Sequence, residues 1–172
     1  MTVLARADLM HLPVVRLSAA ERAEIQPLSC HPQPGWSPAA WAVIVKVDRH
    51  VVTHMGILYR VIRVGGTPMV VGGFTQVMTL EDWRGRGYAR ASLESAADFV
   101  RMMLAAPFAL AICPLEAAAF YEHLGWQVHH APITAEHSGR STIMHDQVAA
   151  TLDCQPGAVW PTGPIDLHGA PW

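Results

Sequence analysis

Arg84-Gly85-Arg86-Gly87-Tyr88-Ala89 stands where the hydrophobic pattern changes period. Before it, Met69 to Leu80 reads as an extended strand. After it, Ala89, Leu93, Ala96, Ala97, Val100 and Met103 recur at helical spacing and give one apolar face. A strand that passes through glycines into a helix turns its backbone N–H groups toward one point. The helix N-terminus adds partial positive charge there, and Arg84 and Arg86 can add charge-assisted hydrogen bonds. Such a turn suits a pyrophosphate, although six residues alone read equally well as a plain tight turn. The two common nucleotide signatures, GxGxxG and GxxxxGK[ST], are absent.

Working outward, Gly65-Gly66 is a hairpin signal between Val51–Val64 and Met69–Leu80, because adjacent glycines accept positive φ at both turn positions. Ala40–Val47 precedes them as another strand, so the centre of the chain reads as a three-strand antiparallel meander. Upstream, Leu12–Leu17 is a short strand candidate. Ser18 with Glu21 is a capping box opening a helix that stops near Pro27. A Pro-rich loop, Ser29–Pro38, follows and carries His31 and Trp36. Downstream, Phe108–Cys113 reads as a buried strand. Pro114 opens a second helix, which Gly125 ends with Trp126 as its hydrophobic cap contact. Gln127–Pro132 and, more weakly, Ser141–Val148 read as final strands. Together these predict an α/β (α+β) fold: a mixed, mostly antiparallel central sheet of six to seven strands with helices on both faces. We expect one domain over residues 1–149 and a Pro/Gly-rich tail over 150–172 that packs on or beside it.

Composition limits the functional classes. The chain has 172 residues, 51 % of them hydrophobic and 15 % charged, with a net charge of −2. That balance is opposite to the signature of disorder and offers no basic field to nucleic acid or an anionic membrane. Cys30, Cys113 and Cys154 are odd in number and lack CxxC spacing, so neither a disulfide framework nor a zinc knuckle is indicated. No signal peptide or membrane span is read, and a cytoplasmic protein is expected. Of the ten histidines, His129, His130, His137 and His145 show no ligand spacing, and no metal is expected.

Two motifs carry a family resemblance. Arg84-x-x-Gly87-x-Ala89 resembles the acyl-CoA signature of the GNAT superfamily of N-acyltransferases. The run Ala119-Phe120-Tyr121-Glu122-His123-Leu124-Gly125-Trp126 resembles that superfamily's second motif. The resemblance spans roughly Leu12 to Val148. Within it, Asp82-Trp83-Arg84-Gly85, the segment Val51–Arg63 and a terminal Trp resemble aminoglycoside 2'-N-acetyltransferases. His54-Met55-Gly56-Ile57-Leu58 and Trp160-Pro161-Thr162-Gly163 resemble the rhizobial nodulation acyltransferase, which acylates an amino sugar oligomer.

The resemblance implies acetyl-CoA as cosubstrate and a small-molecule primary amine, an amino sugar or aminoglycoside, as acceptor. A longer-chain donor or a non-catalytic acyl-CoA sensor stays open, as does a homodimer. It implies cofactor contacts from Met78, Thr79, Leu80, Arg84, Gly85, Arg86, Gly87, Tyr88 and Ala89. One of the amides near Met78–Leu80 would serve the thioester carbonyl. Tyr121 takes the general-acid position. The Glu base of the aminoglycoside enzymes falls on Thr75, which cannot ionise; His54 is the next candidate, with Glu81 and Asp82 as further options at the strand end. Trp36 and Trp41 are candidates for stacking on a sugar, and Asp153, Asp166 and, if the tail folds back, the carboxylate of Trp172 for attracting an amine. Cys113 reads as core.

Overall fold

The structure is a computed structural model that describes residues 7–26 and 36–172; Cys30, His31 and most of the Pro-rich loop lie outside them. Ten strands form one sheet: β1 (Ala7–Pro13), β2 (Trp41–Val47), β3 (His50–Val64), β4 (Thr67–Thr79), β5 (Phe108–Pro114), β6 (Gln127–His129), β7 (Ile133–His137), β8 (Arg140–Ile143), β9 (Gln147–Asp153) and β10 (Ile165–Asp166). Its helices are α1 (Ala19–Ile25), α2 (Tyr88–Phe99), which widens into a π turn over Val100–Leu104, and α3 (Ala118–His123).

The mixed, mostly antiparallel sheet agrees with the sequence reading, with more strands than the six to seven expected. The main path runs β6-β9-β5-β4-β3-β10-β7-β8, with β2 beside the first half of β3 and β1 outside it. Among the described residues only β4–β5 and β7–β10 pair in parallel. The extra strands come from the last third of the chain, where short polar or Pro-flanked segments give weak alternation. There β9 extends beyond the expected Val148, and two residues of the tail add β10.

Local chemistry sets the frame. Ser18 and Glu21 form the reciprocal capping box, and Gly65 and Gly66 turn the β3–β4 hairpin at φ of 55° and 83°. The two sheet faces bury different partners. On one, Met55, Phe74, Ala109 and Ala150 pack under Leu93, Ala96 and Val100 of the α2 segment and Tyr121 of α3. On the other, Leu58, Leu110 and Ala149 are covered by Ile165, Leu167 and Trp172, while Leu17 and Ile25 cover Ala42 and Ile44. Gly72 lies directly against Val100, so the absence of a side chain lets the helix settle on β4.

Candidate active site

β4 and β5 pair over only four residues, from Val71 opposite Phe108 to Phe74 opposite Ala111. Beyond that point they part. The cause lies in β4: His54 pairs with Met78 but Gly56 pairs with Thr75, so Gln76 and Val77 together oppose Met55. Gln76 holds φ of 53°, a bulge that bends β4 away from its parallel neighbour. The fork opens a cleft of about 860 Å³, walled by β4, the end of β5, α3 and the start of α2.

The glycine turn stands at the mouth of this cleft. Gly85 and Gly87 take φ of 72° and 82°, which L side chains adopt at a cost. Gly87 is the N-cap of α2 and no side chain caps the helix. Ala91 N–H is the first of the helix to bond inward, to Gly87 O. The amides of Tyr88, Ala89 and Arg90 precede it and so have no intrahelical acceptor. The arginines brace the turn. Arg84 Nε donates to Thr79 O (3.2 Å), and Arg86 donates to Asp82 O (3.0 Å) with its guanidinium 4.6 Å over the Trp83 ring. Arg84 lines the cleft, and Arg86 is not among the lining residues.

On the opposite wall, α3 presents Ala117, Phe120, Tyr121 and Leu124. Tyr121 is buried, edge-on to Phe120 and Trp126. Burial, with Cys113 nearby, raises its phenol well above the ordinary value of 10. Burial also pushes the Cys113 thiol up to about 11, with Glu116 adding to it, so the thiol stays protonated and unreactive.

The sequence-derived residues divide clearly. Met78, Thr79, Arg84, Gly85, Gly87, Tyr88, Ala89 and Tyr121 converge on the cleft. Leu80 does not: its N–H donates to Val52 O (2.9 Å) across β3. The two-residue period of a strand turns the neighbouring Thr79 amide the other way, toward the cleft. His54 also stays outside the lining. It sits in the sheet between Ile44 and Met78, 5 % exposed, and burial pushes its imidazole down to about 4. At neutral pH it is an uncharged ring and a weak proton acceptor. Thr75 lines the cleft where a carboxylate was sought, and among the described residues no Asp or Glu side chain does. Trp41 packs on Phe99, whereas Trp36 reaches the cleft. Asp153 lines a separate groove with His129 and Trp160, and Asp166 caps the His168 amide (2.9 Å). Arg90, His123 and Gln147 line the cleft without having been singled out for it. For His123 the helical spacing from Phe120 was the available signal. Trp172, considered from the sequence only for its carboxylate on a folded-back tail, lines the cleft as well. Among the described residues no group of three or more His, Cys, Asp or Glu could hold a metal, and no helix is long and apolar enough to cross a membrane.

Comparison with solved structures places this architecture among acyltransferases. A GNAT family N-acetyltransferase (YhbS) from Escherichia coli in complex with CoA is similar over 98 % of this chain and 93 % of its own, at TM-score 0.63 and 13 % identity. An acyl-CoA N-acyltransferase from Pseudomonas aeruginosa is similar over 85 % and 99 %, at 0.56 and 11 %. A GNAT family acetyltransferase from Brucella melitensis in complex with acetyl-CoA is similar over 94 % and 96 %, at 0.54 and 13 %. These likenesses establish the GNAT fold. A search of the curated proteins by sequence gives no match. The model of one sequence family, nodulation protein A (NodA), matches residues 33–162, which is well over half of the chain. The matched region contains the meander, the phosphate-type turn, the fork and Tyr121, and the chain therefore belongs to the nodulation protein A family.

Proposed function

We propose that the protein transfers an acyl group from acyl-CoA to the primary amine of an amino sugar. One observation carries this reading: the β4–β5 fork joins an uncapped helix N-terminus at one end to a buried phenol on its far wall. The first-turn amides of α2 would hold the pyrophosphate, with Arg84 and Arg90 beside them. The pantetheine arm would lie along Val77–Thr79, where the Thr79 N–H serves the thioester carbonyl as negative charge develops on its oxygen.

The acceptor nitrogen attacks the thioester carbon, the adduct nitrogen gives up one proton to solvent, and the C–S bond breaks as the tetrahedral adduct collapses. The CoA sulfur leaves as a thiolate. Tyr121 donates a hydrogen bond to it. Because this phenol holds its proton more tightly than an ordinary one, it stabilises the sulfur by that bond, and solvent supplies the proton that finally resides on the thiol. With no Asp or Glu side chain on the wall among the described residues, we expect the amine to arrive as its free base.

Family membership supports an amino sugar acceptor, as does Trp36 at the cleft, whose indole can stack on the apolar face of a sugar. A longer acyl donor is the second reading. Phe74, Val77, Met78, Ile112, Phe120 and Leu124 make the wall largely apolar, and the cleft exceeds what an acetyl group fills. Thiol release from acetyl-, octanoyl- and palmitoyl-CoA with glucosamine tests both. Turnover with glucosamine supports acyl transfer, and preference for the longer thioesters selects the second reading. Tight CoA binding without thiol release for any amine would leave an acyl-CoA-binding module instead.

A further inference from the structure

Trp172 occupies the closed end of the fork. Gly73 on β4 is one residue before the last β4–β5 pair, and a side chain there would meet the indole: an added Cβ would lie 2.8 Å from Cε2 and 2.9 Å from Nε1. Gly72 faces Val100, so Gly73 and the indole lie on the opposite face, away from α2 and α3. The preceding residues are tied down. Arg60 Nη1 donates to Ala170 O (2.5 Å), Ser37 N–H to Pro171 O (2.7 Å), and Glu136 N–H to Gly169 O (2.8 Å). The Arg60 guanidinium also stands 5.4 Å from the indole centroid. Three hydrogen bonds thus fix the chain leading into Trp172, and the guanidinium flanks its ring where the residue lines the cleft.

Its Nε1–H is nevertheless buried without an acceptor among the described residues. A buried donor left unpaired is costly, and a tryptophan retained only for packing usually finds a partner for this group. We propose that Trp172 Nε1–H is a specificity-determining hydrogen-bond donor to a ring or hydroxyl oxygen of the acyl acceptor, reached when the indole tilts off Gly73 as the acceptor enters. This rests on the acyl-transfer reading and narrows its substrate. A donor at the fork rewards an amine with an oxygen near its nitrogen and gives nothing to a purely hydrocarbon amine. Thr75 and Gln76 line the same stretch and supply the only other polar side chains of β4 between Gly73 and Thr79.

The experiment pairs a spectrum with kinetics. The indole N–H resonance of Trp172, assigned by its loss in Trp172→Phe, is followed in the 15N spectrum of the full chain as glucosamine is added. The proposal expects this resonance to move to a saturable end point. It also expects Trp172→Phe, which keeps an aromatic ring and removes the donor, to lower kcat/KM for glucosamine by about five- to tenfold. The same variant should leave kcat/KM for cyclohexylamine and the affinity for CoA within about twofold, which also shows that it folds. A resonance that stays fixed, or equal losses for both amines, overturns the proposal. Absence of thioester cleavage in the wild type would instead overturn the acyl-transfer reading, while the indole resonance would still decide the Trp172 assignment.

Discussion

Tyr121 and His54 are both buried polar side chains, and burial disfavours the charged form of each in opposite directions on the pH scale. For Tyr121 the result is a phenol that remains a donor throughout the working range. Tyr121→Phe removes one hydrogen bond to the departing sulfur and keeps the packing on Phe120 and Trp126. We expect kcat to fall at least about tenfold with CoA affinity unchanged, measured by thiol release and by calorimetry. For His54 the consequence concerns stability. Its folded value of about 4 lies below the ordinary 6.5. Below pH 6.5 the unfolded chain takes up a proton that the folded chain refuses until pH nears 4, so stability falls as pH drops through that window. The difference approaches roughly 3 kcal/mol at its acid limit. His54→Leu should remove this loss, so that urea unfolding at pH 4.5 and pH 7 differs less in the variant than in the wild type. The same change should leave the alkaline side of the rate profile intact, because His54 does not line the cleft.

At the scale of elements, the α2 N-terminus depends on Gly87 holding a left-handed conformation. Nothing lies within 4 Å of a Cβ added there, so Gly87→Ala meets a conformational penalty and no clash. About 1 kcal/mol of stability should be lost, seen as a lower thermal midpoint, and CoA should bind several-fold more weakly as the first-turn amides splay. This turn was legible in the sequence because its cause is local: glycines, arginines and a change of period lie within one short run. The same holds for the capping box and the Gly65-Gly66 hairpin. The bulge at Gln76 was not legible, since nothing in Thr75-Gln76-Val77 marks a register shift; it arises from how β4 fits Gly56 and its neighbours on β3. Gly56 itself is constrained from both sides, as a Cβ there would lie 2.6 Å from Ala39 Cβ and 2.8 Å from Thr75 Cγ2. The seat of the Trp172 indole against Gly73 and the pairing of β10 were equally hidden, because contacts far apart in sequence decide them. His54 was selected because the resembling enzymes carry a His at that place in the long strand, and only the packed sheet reveals that it is buried outside the cleft lining.

Over the whole molecule, charge and chemistry separate. A chain of net charge −2 can hold a polyanionic cofactor if, as proposed, the attraction comes from a local set of amides and arginines at one helix end. The cleft beyond that end is apolar and, among the described residues, has no side-chain carboxylate to deprotonate or attract a polycation. Two consequences follow for the acceptor. A strongly cationic amine gains little from this wall, and the protonation state of the attacking nitrogen is set by the amine itself. The rate at subsaturating acceptor should therefore climb with pH until the acceptor's own pKa is passed. Glucosamine and an alkylamine of higher pKa should give limbs displaced by the difference between their two amines, with the limb for each unchanged in His54→Leu. If the two limbs coincided, a group of the protein would be removing the proton. His123, which lines the cleft, would then be the first group to substitute.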